Sequence, residues 1–156
     1  SGPIARPLHP VQYWLVASPD YLKRAGPIRT PRALADHDCL ALAYPNFAAS
    51  WRFARAGQDI SVAVSDAALT ATNAALLLEA ARQGAGAALL ADWTCRPAIA
   101  DGSLVRVLAG WRASGATGET APVSIVTPSR TYRPAKTRAF VDFMVEASRR
   151  PTRKPR

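Results

Sequence analysis

His37, Asp38 and Cys39 are consecutive, and a thiol with an imidazole close by is the minimal kit for nucleophilic catalysis. Neighbours in a helix-to-strand turn point in different directions, however, and a nucleophile normally draws its base from elsewhere in the fold. His9 is the only other histidine, and it precedes a proline. The run Gln83-Gly84-Ala85-Gly86-Ala87-Ala88-Leu89 opens like a dinucleotide-binding loop. Leu89 stands where a third glycine is required, and the glycines follow a helix rather than a strand, so they read as a helix stop. Walker, HExxH and GxSxG patterns are absent, and the sequence predicts no enzyme and no catalytic residue. Cys39 and Cys95 belong to no CxxC pair and to no Cys/His cluster with zinc spacing, so neither metal nor cofactor is expected. Cys39, at the head of an apolar run, reads as a small buried thiol.

The elements that would position such residues carry clear boundary signals. Val11–Ala17 is a continuous β-prone run suited to a covered strand. Ser18 can cap a helix starting at Pro19 and ended by Gly26, and Thr30-Pro31 repeats that start for a second short helix. Cys39–Tyr44 is a buried strand broken by Pro45-Asn46. Trp51–Arg55 and Ile60–Ser65 suggest a hairpin around Ala-Gly-Gln, with Ile60, Val62 and Val64 on its buried face and Trp51 and Phe53 in the core. Thr72 or Asn73 can cap a helix with an apolar stripe of Leu76, Leu77 and Ala80, stopped at Gly84. Gly86–Ala91 is a strand, Trp93–Ala100 a helix, Leu104–Leu108 a strand, ASGATGE a flexible turn, and PVSIVT a strand leading out. A last helix from Pro134 to about Ser148 aligns Phe140, Phe143, Met144 and Ala147 on one face. The repeated strand–helix–strand order predicts an α/β fold with a mixed, mostly parallel sheet.

Ala17, Ser18, Pro19, Tyr21, Leu22, Gly26, Pro31, Leu34, His37, Cys39 and Leu40 together resemble the segment that opens the second lobe of LysR-type transcriptional regulator effector domains. The resemblance continues through Trp51-Arg52-Phe53 with Gly57, Ala71-Thr72-Asn73 with the glycine-punctuated helix and strand after it, Asp101–Leu108, and KTRAFVDFM. It covers about Ile4 to Ala147. It implies a periplasmic-binding-protein-like (type 2) lobe, with the first lobe largely missing and the winged helix-turn-helix absent. Residues 1–17 would end the first lobe and form a hinge strand, and 18–121 would be the second lobe. Residues 122–148 would be the return hinge strand and closing helix, and 149–156 a basic disordered tail.

That resemblance directs attention to a small-molecule site. Tyr44-Pro45-Asn46-Phe47-Ala48-Ala49-Ser50 leaves a strand end with an aromatic face, an amide and a hydroxyl, while Thr72 and Asn73 sit at a helix start suited to anions. Tyr44, Asn46, Phe47, Ser50, Thr72 and Asn73 are therefore the expected effector-binding residues, joined by Thr127 through the resemblance alone. Each also has a structural use: Asn73 as a cap, Asn46 in a turn, Tyr44 and Phe47 in packing. The expected partners are an anionic or polar effector, DNA through the missing N-terminal domain, and a second copy as homodimer or homotetramer.

Length and composition fit this reading. The 156 residues, 49% hydrophobic, suit one globular unit, and no apolar run or signal peptide points to a membrane or to export, so a cytoplasmic protein is expected. The net charge is +9, but Arg149, Arg150, Arg153, Lys154 and Arg156 crowd the C-terminus, and the remainder carries only +4. A basic nucleic-acid-binding module would interleave aromatics with that tail, and none are there. A free-standing solute-binding lobe is the other alternative.

Overall fold

The computed structural model describes residues 2–128 and 134–149, so most of the basic tail lies outside the described residues. The chain divides into two units, residues 1–11 with 121–156, and residues 12–120.

In the first unit β1 (Ile4–His9) is one arm of an antiparallel pair. The larger unit holds β2 (Tyr13–Ala17), α1 (Pro19–Ala25), a 3-10 helix (Pro31–Asp36), β3 (Cys39–Leu42), α2 (Pro45–Ala48), β4 (Ser50–Arg55) and β5 (Gln58–Ala63). It continues through β6 (Leu69–Ala71), α3 (Ala74–Arg82), β7 (Ala87–Ala91), α4 (Asp92–Ala100), β8 (Val105–Val107) and β9 (Arg112–Gly115). The chain then returns to the first unit with β10 (Val123–Thr127), the partner of β1, and α5 (Ala135–Arg149).

The boundary chemistry operates as read. Ser18 Oγ accepts the Tyr21 N–H at 3.1 Å, and Gly26 closes α1 at φ 95°, its N–H donating to Leu22 O. Thr30 makes no side-chain cap, and the segment after it winds as a 3-10 helix rather than an α-helix. Asn73 caps α3, and Leu77 and Ala81 form its buried stripe while Leu76 is 52% exposed. Period counting put both leucines and Ala80 in the stripe; Leu77 is buried as expected and Leu76 is not, because the buried face is fixed by the sheet beneath it.

The larger sheet runs β5-β4-β9-β2-β7-β3-β6, with β8 also paired to β2. It is mixed, as expected, but only the pairs β3–β6 and β3–β7 are parallel. The hairpin β4–β5 and the returns onto β2 make the other pairings antiparallel, so parallel pairing is the minority. Two strands escaped sequence reading. β6 is three residues long, and β9, hidden in the stretch read as a flexible glycine-rich turn, lies between β4 and β2. Its Ala113, Ser114 and Gly115 are all buried: their smallness looks like loop composition but serves close packing.

In the first unit α5 packs through Val141, 2% exposed, whereas Phe140 and Phe143 are 59% and 63% exposed. Arg6 donates to Asp142 at 3.1 Å and Ser148 Oγ reaches Leu8 O at 3.3 Å, tying α5 to β1.

The β4–β5 hairpin turns through Ala56 and Gly57 alone, with φ of 43° and 78°. This two-residue turn needs left-handed backbone at both positions, and alanine pays for its Cβ there. Ala56→Gly is therefore expected to raise stability by about 0.5–1 kcal/mol, read as a higher urea midpoint with an unchanged slope. A lower midpoint would contradict the turn geometry.

Candidate ligand-binding edge of the sheet

Parallel pairing decides which residues share an edge. Leu42 at the end of β3 is in register with Ala71 at the end of β6, and Ala43 N–H donates to Ala71 O at 2.9 Å. The segments leaving both strands therefore emerge side by side, and Tyr44 Oη donates to Thr72 O at 3.2 Å. The carboxyl edge of parallel strands is where diverging loops leave a crevice for ligands in α/β sheets. β7, also parallel to β3, ends at the same edge and leads directly into Asp92 and Trp93, and Asp92 N–H donates to Gln12 O at 2.9 Å. Gln12, Tyr13 and the 47%-exposed Trp93 are thus edge residues that sequence reading missed. The parallel register of β7 is the signal that would have found them.

The expected residues separate by how their atoms are used. Tyr44 is 50% exposed, and Thr72 and Asn73 are exposed beside it. Asn73 Oδ1 accepts the Ala75 N–H at 2.9 Å, which commits that oxygen to capping. Phe47 is core: it is 9% exposed, tilts against the Tyr13 ring at 4.7 Å, and its carbonyl accepts Trp51 Nε1–H at 3.1 Å. Burial of Tyr13 pushes its hydroxyl pKa up, so the ring stays neutral.

Asn46 braces the neighbouring loop. Its carbonyl accepts Ala116 N–H at 2.6 Å and its Oδ1 accepts Thr117 N–H at 2.8 Å. A Cβ on Gly115 would collide with that carbonyl and lie 2.6 Å from Asn46 Nδ2. Ser50 opens β4 opposite Ala63 and is half-buried. Thr127 is buried at the end of β10 opposite Ile4, in the other unit. The edge thus brings together Tyr44, Thr72 and Asn73, while Phe47 is buried against Tyr13 and Asn46 holds residues 116 and 117.

The His-Asp-Cys run is spent on structure. Asp38 N–H donates to Tyr21 Oη at 2.9 Å, and the same oxygen shares a hydrogen bond with His37 Nδ1 at 3.0 Å. Cys39 Sγ faces the carbonyls of Leu34 and His37 at 3.8 and 3.7 Å. Burial, with the nearby Asp38 charge, pushes the Cys39 thiol up to about 11, and burial with Asp92 pushes Cys95 to about 12. The folded state holds both thiols protonated. Their stabilisation is complete below the ordinary thiol range and is lost as pH rises from there through about 11 for Cys39 and about 12 for Cys95. In folded protein at pH 8 both should react with a disulfide reagent far more slowly than in urea, and rapid native labelling of either would contradict their burial. Among the described residues no group of three His, Cys, Asp or Glu is placed to hold a metal ion, and no helix is long and apolar enough to cross a membrane.

Comparison with known proteins places this arrangement. Residues 1–149 match the LysR substrate binding domain family. The chain is 31% identical over 142 residues to the probable HTH-type transcriptional regulator LtrA of Klebsiella pneumoniae, covering 90% of this chain and 45% of that protein. It is 30% identical over 147 residues to the HTH-type transcriptional regulator CrgA of Neisseria meningitidis, covering 94% and 47%. The solved structure of CrgA superposes with a TM-score of 0.79 at 29% identity, over 96% of this chain and 49% of that one. The full-length Vibrio cholerae virulence activator AphB gives 0.79 at 27% identity, over 93% and 48%. The chain spans about half the length of the curated relatives it matches.

Proposed function

Since this chain belongs to the LysR substrate-binding-domain family, we propose that it senses a small polar or anionic molecule on behalf of a larger, DNA-binding transcriptional regulator acting in the cytoplasm. The observation that carries the ligand role is the Tyr44–Thr72 contact. It joins the loop after β3 to the cap of α3 at one carboxyl edge, presenting an aromatic face, a hydroxyl and an amide together. Residues 18–121 act as the second lobe. Residues 1–17 and 122–148 supply the end of the first lobe, the hinge strands and the closing helix. What reaches DNA is the effector's differential affinity for two arrangements of the regulator, no more.

The exposed Phe140 and Phe143 on α5 favour association into a homodimer or homotetramer. Light scattering at high micromolar concentration is expected to give more than one copy, and a monodisperse monomer would count against that part of the reading. The whole function is tested by expressing the complete reading frame that contains this chain. It should retard DNA from its own upstream region, with retardation altered by the effector. The 156-residue chain alone should show at most salt-sensitive, sequence-independent retention. Sequence-specific retention by the chain alone, or none by the complete protein, would overturn the proposal.

A further inference from the structure

A second cluster of charge lies on the outward face of β4, β5 and β9, away from the residues assigned above. Strand register sets it out: Arg112 of β9 lies opposite Ala54 of β4, which lies opposite Asp59 of β5, and one step along Ser114 lies opposite Arg52. The small Ala54 side chain forms the floor of a depression of about 190 Å³ between these longer residues, and the loop carrying Thr117 and Glu119 forms one wall.

The charges in this cavity are unequally used. Arg52 is committed through Nε and Nη2 to both oxygens of Asp59, each at 2.7 Å, and that pairing holds the Asp59 carboxyl below its ordinary range. Arg52 Nη1 is left over. Gly118 packs closely over it, since a Cβ there would stand 3.1 Å from both Arg52 Nη1 and Cδ. Arg112 and Glu119 line the same cavity, yet neither side chain makes a hydrogen bond or an ion pair within 4.0 Å among the described residues. Arg112 acts on the Asp59 carboxylate without pairing with it, so two arginines share one aspartate, and that surplus positive charge and the Glu119 carboxylate face a single small space. A carboxylate suits Arg112 and the spare Arg52 donor, and an ammonium suits Glu119. A ligand carrying only one of these charges would leave the other group unpaired.

We propose that this face of the sheet binds a free α-amino acid, its carboxylate on Arg112 and Arg52 Nη1 and its ammonium on Glu119. The site is separate from the Tyr44–Thr72 edge but shares the 115–119 loop, which Asn46 holds from the other side. An amino acid bound here would therefore bear on the segment that braces α2.

The experiment is calorimetric titration of the full chain at low ionic strength with L-alanine, propionate and ethylamine, each removing one feature of the zwitterion. L-Alanine is expected to bind saturably, with both single-charge analogues weaker by at least about tenfold. Arg112→Gln should weaken L-alanine by a similar factor, and Ala54→Leu, which fills the floor, should abolish binding. Glu119→Gln should weaken L-alanine without weakening propionate. Tyr44→Ala should leave L-alanine binding unchanged, so failure here is distinguishable from failure of the effector edge. Absence of saturable L-alanine binding, equal binding of propionate, survival of binding in Arg112→Gln and Ala54→Leu, or loss in Tyr44→Ala would each overturn the proposal.

Discussion

Replacing Trp51 by alanine is expected to destabilise the chain by about 3–5 kcal/mol, the range for removing a large aromatic from a packed core. Trp51 and its strand neighbour Phe53 are both 0% exposed, on the inner face of β4. The indole does more than fill space. Its Nε1–H is the donor that satisfies Phe47 O at the end of α2, so truncation leaves a buried carbonyl without that partner and a void beneath the loop bearing Tyr44. Small domains have only about 5–15 kcal/mol in hand, so Trp51→Ala should be partly unfolded or nearly so at ambient temperature. The check is the urea midpoint, with Trp51→Phe expected to lose less. A loss below about 1 kcal/mol in the alanine variant would show that Trp51 is not core.

Gly115→Val should cost about 3 kcal/mol, for a different reason. The position needs no positive φ. It needs the absence of a side chain, because a Cβ would collide with the Asn46 carbonyl. Relieving that collision means moving α2 or β9, and either movement breaks Ala116 N–H to Asn46 O and Thr117 N–H to Asn46 Oδ1. Neither bond is worth more than about 1.5 kcal/mol alone, but both are lost together with core packing. The signature beyond stability is local. Amide hydrogens of Ala116 and Thr117 should exchange much faster in the variant, while those of β2 and β7 change only with global stability. Unchanged protection at Ala116 and Thr117 would contradict the brace.

These two residues also show what was legible in the chain and what was not. Trp51 was readable because an apolar aromatic alternating with Phe53 in a β-prone run has one economical position, inward. Gly115 was not readable: glycine among alanines, serine and threonine looks like a flexible loop, and only the approach of Asn46, 69 residues away in sequence, explains its size. The same asymmetry runs through the fold. Ser18, Gly26 and Asn73 act within a few residues of themselves, so their capping roles could be read locally. β6 and β9 are short and gain their strand character from partners distant in sequence, and the parallel pairing of β3 with β6 and β7 could not be counted from local pattern. For the proposed ligand edge, local reading singled out the residue types at Tyr44, Thr72 and Asn73. It could not tell that Phe47 would be buried and Asn46 turned to residues 116 and 117, or that Gln12 and Trp93 would lie where β2 begins and β7 ends.

The family resemblance read from Ala17–Leu40 was more specific than the local physics, because it depends on the order of several motifs rather than on any one of them. It covered nearly the same span as the family match over residues 1–149. Its limit is chemical. A shared scaffold presents a ligand edge without naming the ligand, since the residues on that edge determine what binds there.

The most direct test of the central claim is mapping of backbone amide shifts in this chain while small polar and anionic compounds are titrated in. The account predicts that the compound acting as effector will perturb Tyr44, Thr72, Asn73 and the neighbouring Asp92 and Trp93, and that Tyr44→Ala will abolish or sharply weaken those shifts. Effector-induced shifts confined to other surfaces, or unchanged in Tyr44→Ala, would contradict the assignment of this edge as the sensing site.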